Sequence, residues 1–439
     1  MKPRTLIPFG FVALIALGGF LLTLPMSNPS GEWRSVSDAL FTACSAVCIT
    51  GLTVIEPGRD LTLFGQGVLL TLVQIGCVGI MTLGTFFLVC VGRRLSLSSE
   101  FSLSNAYGTP GVRGIKGLVV WVVFSMLLLE AAGTYLLHLR MGDWYRAYFY
   151  AVMALCNAGF SLDAGSLAAF RGDPAVLCTM SVLTILGGVG FLVLYNLVTI
   201  QWWRRSLAKQ GRLSLHTRVV LVSTGVFLLV TFLAFFILEW NGSLASCSSW
   251  SEKLSVALLQ SVTPRTCGFT VVPISGLHPA TRFFDEVLMF VGAAPGGAGG
   301  GIKITTFVVF LSTLLAIARG RKDTEIGHRT VPENVVRQAI VIVFVMAAVG
   351  TLAMTALLVT EAGGPLTFEH LMFETVSAVS TTGLSIGGVT QALSGPGRVV
   401  LMVTMFIGRL GALAIVMLLS GSDAAIPSLR YPKEELVVG

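Results

Sequence analysis

Apolar and polar positions along this chain follow one order of segments, used four times. A long apolar run over residues 6–24 is followed by a short amphipathic stretch at 36–47 and a second long run at 61–91. A helix needs about 20 apolar residues to cross roughly 30 Å of hydrocarbon, so the long runs span and the short stretch does not. The order returns as 115–137, 146–156 and 176–203, then as 219–238, 252–263 and 283–318, and finally as 339–358, 369–379 and 399–419. The pattern predicts an all-α integral membrane fold of four tandem units, divided at 1–94, 95–205, 206–322 and 323–439. Each unit reads as spanning helix, half-helix, non-helical loop and spanning helix, which gives eight spans around a pseudo-fourfold axis.

A related tetrapeptide sits at the end of every half-helix. The copies are Thr50-Gly51-Leu52-Thr53, Ala158-Gly159-Phe160-Ser161, Cys267-Gly268-Phe269-Thr270 and Thr382-Gly383-Leu384-Ser385, with glycines 108, 109 and 115 residues apart. Small glycine motifs in membrane proteins ordinarily mediate close helix packing, and a single copy would be read that way. Four copies in register reverse the reading. A backbone that leaves the helix inside a bilayer exposes polar groups at several kcal/mol each unless protein or a watery cavity receives them. Four such loops around one axis can turn carbonyls inward to replace the hydration shell of a monovalent cation. Glycine supplies the φ > 0 and the close approach that such a loop requires. Because the short helix precedes the loop, its negative dipole end points to the membrane centre, which favours a cation over an anion. A second glycine set, Gly76 and Gly79, Gly187 and Gly190, Gly408 and Gly411, is assigned to packing of the second helix of a unit.

Composition agrees with a membrane protein. Apolar residues make up 54% and charged residues 12%, with a mean hydropathy of +0.83; soluble domains carry about 25% charged residues. The net charge of +7 suggests nucleic acid until its distribution is examined. Eighteen of the 29 Lys and Arg lie near the chain ends or in the linkers between units, and nine face the other side. That bias places both termini in the cytoplasm and each signature loop on the outer side of the membrane. The stretch from Lys2 and Arg4 through the first apolar run resembles a signal peptide, but the run is long and no small-x-small site follows it, so it reads as a retained helix. Eight cysteines without a CxxC pair read as small core residues, and five dispersed histidines offer no metal-ligand spacing.

Two features belong to one unit each. In the third, the second long segment is interrupted by Gly292, Pro295, Gly296, Gly297, Ala298, Gly299, Gly300 and Gly301, followed by Lys303. No strand precedes this run, so it is not a nucleotide-binding loop; it cannot continue as a regular helix, and reads as a kink or as a flexible intramembrane loop. Lys303 either belongs to that loop or borders the cytoplasm. In the fourth, Arg409 lies mid-run in the last helix, where an arginine costs about 2.5–3.5 kcal/mol on insertion scales without partners. Its depth argues against snorkelling. The expectation is that it faces the pore, bonds carbonyls of the glycine loop and adds a positive barrier to cation passage.

With these residues in place the chain resembles the Trk/Ktr/HKT potassium transporter superfamily, and in length and span plan the KtrB type of membrane subunit. The resemblance covers nearly the whole chain and is carried by Ser45 to Thr53, Asn157 to Leu162, Thr263-Pro264-Arg265-Thr266-Cys267-Gly268-Phe269, Pro295 to Lys303 and Ile407-Gly408-Arg409-Leu410-Gly411. It implies K⁺ conduction, often influenced by Na⁺, through a filter of backbone carbonyls. In this chain the filter positions are Cys48, Ile49, Thr50 and Gly51, then Asn157, Ala158 and Gly159, then Thr266, Cys267 and Gly268, then Thr381, Thr382 and Gly383. It also implies that the glycine loop beneath the filter is a gate. It further implies a homodimer and a separate cytoplasmic ring, KtrA- or TrkA-like with RCK domains that bind ATP/ADP or NAD. Ala154-Leu155-Cys156 departs from the Phe-Asn type of that family, and Cys48, Cys156 and Cys267 place sulfur near three loops.

Other functions fare less well. A Na⁺-permeable or poorly selective member of the same superfamily would carry a polar residue at a filter glycine, and all four are glycine here. A membrane-embedded enzyme needs converging catalytic or metal-binding side chains at membrane depth, and none is found. A receptor or structural protein leaves four filter-like loops unexplained.

Overall fold

The computed structural model describes residues 3–79, 115–199 and 213–411. The second half of the first unit's apolar run, Cys90, the basic residues at 93–116 other than Lys116, the linker at 200–212 and everything from 412 on lie outside the described residues.

Helices dominate, and their order follows the four-unit pattern. The first unit holds α1 (Pro3–Thr23), α2 (Val36–Cys48) and α3 (Leu63–Val78). The second holds α4 (Ile115–Met141), α5 (Trp144–Leu155), α6 (Pro174–Val189) and α7 (Phe191–Thr199). The third holds α8 (Leu215–Leu238), α9 (Trp250–Val262), α10 (Pro279–Met289) and α11 (Ile304–Ala318). A small antiparallel hairpin, β1 (Glu325–Ile326) and β2 (Arg329–Thr330), separates it from α12 (Glu333–Thr360), α13 (Phe368–Ser380) and α14 (Gly395–Leu410).

The short helices α2, α5, α9 and α13 form the centre. Along α5 every residue from Phe149 to Leu155 is buried, although Trp144 at its start is exposed. The long helices do the reverse: Phe344, Leu352 and Val359 on α12, and Val222, Leu229 and Ile237 on α8, are exposed apolar side chains. Such a surface is stable only against hydrocarbon, and the molecule is a membrane protein.

Side-chain oxygens cap three of the short helices at their N-termini. Asp143 accepts from Tyr145 N, Ser249 accepts from Glu252 N, and Thr367 forms a capping box with His370. Polar ties then join each unit to the next on the same face. Tyr145 donates to Gln66 Oε1 at 2.9 Å, and Arg171 pairs with Glu252 at 3.2 Å. Arg282 pairs with Glu369 at 2.9 Å, and Arg398 pairs with Asp38 of the first unit at 2.5 Å. The last tie returns to the first unit, so the sequence of contacts closes.

Among the described residues three helices are long and apolar enough to cross a membrane by themselves, residues 119–141 of α4, α8 and α12; α6 with α7 makes a fourth if counted as one bent span. The difference from eight uninterrupted spans has a local cause. The second helix of a unit does not run straight through: α3 ends at Gly79, α6 at Gly190 and α14 at Gly411. These glycines have φ/ψ of 82/140, 92/141 and 79/152, a region essentially closed to residues with a Cβ. Each second glycine therefore ends its helix, and of the three only Gly190 also packs closely, against Pro295 O and Gly297 N, while among the described residues nothing lies near a Cβ on Gly79 or Gly411. A Cβ on Gly76, Gly187 or Gly408 would collide with the carbonyl of Val47, Leu155 or Val379, near the end of the unit's own short helix.

Candidate functional site

Each short helix ends in a turn with two residues of positive φ, two positions apart. The pairs are Ile49 (φ 55) with Gly51 (φ 90), Asn157 (φ 55) with Gly159 (φ 69), Thr266 (φ 63) with Gly268 (φ 79), and Thr381 (φ 51) with Gly383 (φ 85). A non-glycine residue with positive φ is uncommon, and four at equivalent positions are a repeated device.

The turns are held from within their own units. In the first, Thr50 N donates to Ser45 O (2.8 Å) and Gly51 N to Ser45 Oγ (3.0 Å). In the fourth, Thr382 N donates to Ser377 O (2.8 Å) and Gly383 N to Ser377 Oγ (3.0 Å). The second uses Ala158 N to Met153 O (2.9 Å), and its Asn157 amide fits as a donor to Thr184 O (3.2 Å) and Ala154 O (2.9 Å). In the third, Thr263 Oγ1 donates to Phe269 O at 2.6 Å, which spans the turn. Each turn thus replaces the hydrogen bonds that its helix end leaves open.

The four turns also touch in cyclic order. A Cβ added to Gly159 would lie 2.9 Å from Cys267 O, and one added to Gly268 would lie 2.8 Å from Thr382 O. Gly383 stands against Thr50 O and Gly51 against Ala158 O, closer still. Each glycine therefore faces the carbonyl that precedes the next unit's glycine. On one side of the turns lies a cavity of about 500 Å³, reached by Gly51, Gly159, Gly268 and Gly383 and bordered by Thr53, Ser161, Thr270 and Ser385. Asp163 on its wall is held by Arg146 (2.5 Å) and by Tyr150 Oη (2.5 Å), so its charge is paired.

On the other side of the turns lies the glycine-rich segment. Between α10 and α11 the chain is non-helical, with Val291 bridged to Ile302 and Gly292 N donating to Ile302 O at 2.7 Å. Gly299 and Gly300 lie against the side chains of Thr266 and Thr381, with Gly300 N donating to Thr381 Oγ1 at 3.0 Å. The loop thus sits beneath the third and fourth turns. Lys303 is the N-cap of α11, inside this segment, and its Nζ turns back to Gly299 O. Arg409 reaches from α14 across two units, donating from one Nη to Ala298 O and from the other to Gly76 O at 2.6 Å. Gly296 and Gly301 have positive φ, 75 and 67, and Gly297 packs against Gly187 O and Gly188 O.

Sequence reasoning passed over the carbonyls of Gly76, Gly187 and Gly188, and the capping serines. Ser45 and Ser377 each stand six residues before the unit's glycine, a spacing visible once the repeats are superposed. Among the described residues no group of three or more His, Cys, Asp or Glu is placed to hold a metal ion.

Comparison with known proteins places these features in a wider set. The family described as TrkH, cation transport protein, matches residues 11–426. Ktr system potassium uptake protein B of Bacillus subtilis is 33% identical, with all of this chain and 97% of that protein aligned. Its namesake in Vibrio alginolyticus is 35% identical, with all of this chain and 95% of that protein aligned. Potassium/sodium uptake protein NtpJ of Enterococcus hirae is 32% identical, with all of this chain and 98% of that protein aligned. The crystal structure of the potassium transporter TrkH from Vibrio parahaemolyticus superposes with a TM-score of 0.75 at 18% identity, covering 95% of this chain and 84% of that one. That likeness speaks for the fold.

Proposed function

The chain belongs to the TrkH family of cation transport proteins, and from that premise we propose that it takes up K⁺ across a bacterial cytoplasmic membrane through the ring formed by its four glycine turns. The observation that carries the reading is the closed cycle in which Gly51, Gly159, Gly268 and Gly383 each face the neighbouring unit's carbonyl. Such a ring offers backbone oxygens in place of water to a monovalent cation and leaves no room for a side chain.

In this reading K⁺ is cargo. The ion leaves the outer cavity, passes the carbonyls at and before each glycine, and meets the glycine-rich loop beneath. Arg409 and Lys303 hold that loop at Ala298 O and Gly299 O, and their charges oppose a cation while it stays there. The loop is the gate. The eight-span plan counts α6 with α7, and α10 with α11, as one interrupted span each. Relatives named as parts of a Ktr system indicate a regulatory partner, here a cytoplasmic nucleotide-binding ring acting on a homodimer of this chain. A second reading, permeation of Na⁺ as well as K⁺, is favoured by the relative named for both ions.

The test is cation flux through purified protein in liposomes, with K⁺ or Na⁺ as the only permeant ion. Strong K⁺ preference that weakens in Gly268→Ser is the expected result. Equal K⁺ and Na⁺ flux in the unmodified chain would give the second reading precedence. Unchanged selectivity in an assembled Gly268→Ser protein would sink the four-turn filter.

A further inference from the structure

The loop between α10 and α11 obtains much of its backbone support from another unit. Ala294 N donates to Gly188 O (2.9 Å), Ala298 N to Gly187 O (3.1 Å), and Phe191 N to Gly296 O (3.2 Å). All three partners lie at the break between α6 and α7, where the two helices meet at 92° around Gly190. A broken helix leaves carbonyls on one side and an N–H on the other without intrahelical partners. The loop supplies the two donors and the one acceptor that this break lacks. Apolar packing follows the same seam, since Val189 and Val193 of the second unit are buried with Val291, Ala294 and Ile304 of the third.

Neither half of this joint is self-sufficient. If the loop withdrew while the break stayed, three backbone groups would be left open at membrane depth, at several kcal/mol each. If α7 swung while α6 and the loop stayed, the Phe191 N–Gly296 O bond would be lost, and with it the packing of Val193 against Val291 and Ala294. The two equilibria are therefore linked, and whatever displaces one displaces the other.

We propose that the α6–α7 break of the second unit positions the gate loop beneath the filter turns, and that α7 and the loop shift together when the gate opens. The inference rests on the reading of the loop as the gate. Gly187, Gly188 and Phe191 act as positioning residues through their backbone, without touching the ion.

Phe191 is the first residue of α7, a position where proline suits a helix, so Phe191→Pro deletes the N–H bonded to Gly296 O at small cost to the helix. Phe191→Ala removes the same ring and keeps the N–H. The full chain, in liposomes with K⁺ as the only permeant ion and no added partner, should conduct about fivefold faster as Phe191→Pro than as Phe191→Ala, the shift that one lost hydrogen bond of ordinary net strength gives to a two-state equilibrium. K⁺ preference over Na⁺ should stay the same, which damage spreading to the filter would alter. Arg409→Gln serves as an independent release of the loop. If it raises flux while the proline and alanine variants match, the positioning role is overturned and the gate reading stands. If neither raises flux, the gate reading falls and this inference with it. Should Phe191→Pro fail to assemble, Gly297→Ala takes its place. Its methyl would stand 2.9 Å from Gly188 O and 3.1 Å from Gly187 O, and it should raise flux by wedging the joint open. An assembled Gly297→Ala protein that conducts like the unmodified chain overturns the proposal.

Discussion

The four glycine turns and the single glycine-rich loop are both irregular backbone between helices, yet they are held in different ways. Every turn has a hydrogen bond from its own unit: Ser45 and Ser377 cap their own glycines, Met153 O and Thr263 Oγ1 bond their own turns, and the third turn is also tied to its neighbour, through Thr184 to Cys267 Sγ and Ser166 Oγ to Thr270 N. The loop has a short bridged base of its own, but its middle is held by Gly187 and Gly188 of the second unit and by Thr381 and Arg409 of the fourth. Local hydrogen bonds hold whatever the neighbouring units do, so the turns are built to keep one shape. Contacts borrowed from two other units can be made and lost together, as the proposed gate requires of the loop. In the proposed function the turns are the part that selects and the loop the part that moves.

The comparison is broken most severely at Gly383. Its φ of 85 and the Thr50 carbonyl against it leave no place for a methyl group. Left-handed strain alone is about 1–3 kcal/mol, so Gly383→Ala should lower K⁺ flux at least tenfold and abolish the preference over Na⁺. Liposome flux with each ion in turn reads both effects. Full K⁺ preference in an assembled Gly383→Ala protein would show that the turn has room to deform, and the claim of one fixed shape would fail.

Arg409 tests the other side. Its two hydrogen bonds to Ala298 O and Gly76 O are charge-assisted, each worth about 1.5–3 kcal/mol. Replacing it with glutamine should raise K⁺ flux roughly tenfold while selectivity remains. A fall in flux with thermal stability unchanged would mean that the arginine supports the open path instead of the closed one.

The helix order and the four glycines were legible because apolar run length and repeat spacing are properties of the sequence itself. The left-handed residues two positions before the glycines were not. Isoleucine and threonine, at Ile49, Thr266 and Thr381, have no tendency toward positive φ, and only Asn157 is of a type that adopts it readily. There the closing turn overrides residue preference. The helix breaks were hidden for a different reason: Gly79, Gly190 and Gly411 follow Gly76, Gly187 and Gly408 at a spacing that looks like a packing stripe, and only the backbone angles divide the two roles. Arg409 announced itself through the cost of burying a guanidinium. Its partner Gly76 O is 333 residues away, and such a contact exists only once the first and fourth units adjoin.

The smallest expected effect sharpens the comparison most. Ser45→Ala and Ser377→Ala each remove one 3.0 Å hydrogen bond, to Gly51 N and Gly383 N, at about 1 kcal/mol apiece, and each should lower K⁺ preference a few-fold. The two glycines are neighbours in the ring, Gly383 resting against Thr50 O and the Gly51 Cα. If the turns were separate devices, the double variant would show the sum of the two losses in free energy. Residues in contact usually depart from additivity by about 0.5–3 kcal/mol, and the expectation here is a double variant whose loss exceeds that sum, because each serine steadies a turn against which the other turn is packed. Selectivity measured across all four combinations gives the coupling directly. A coupling within error of zero would mean that each unit fixes its own turn without help, and the ring contact would then be mere proximity.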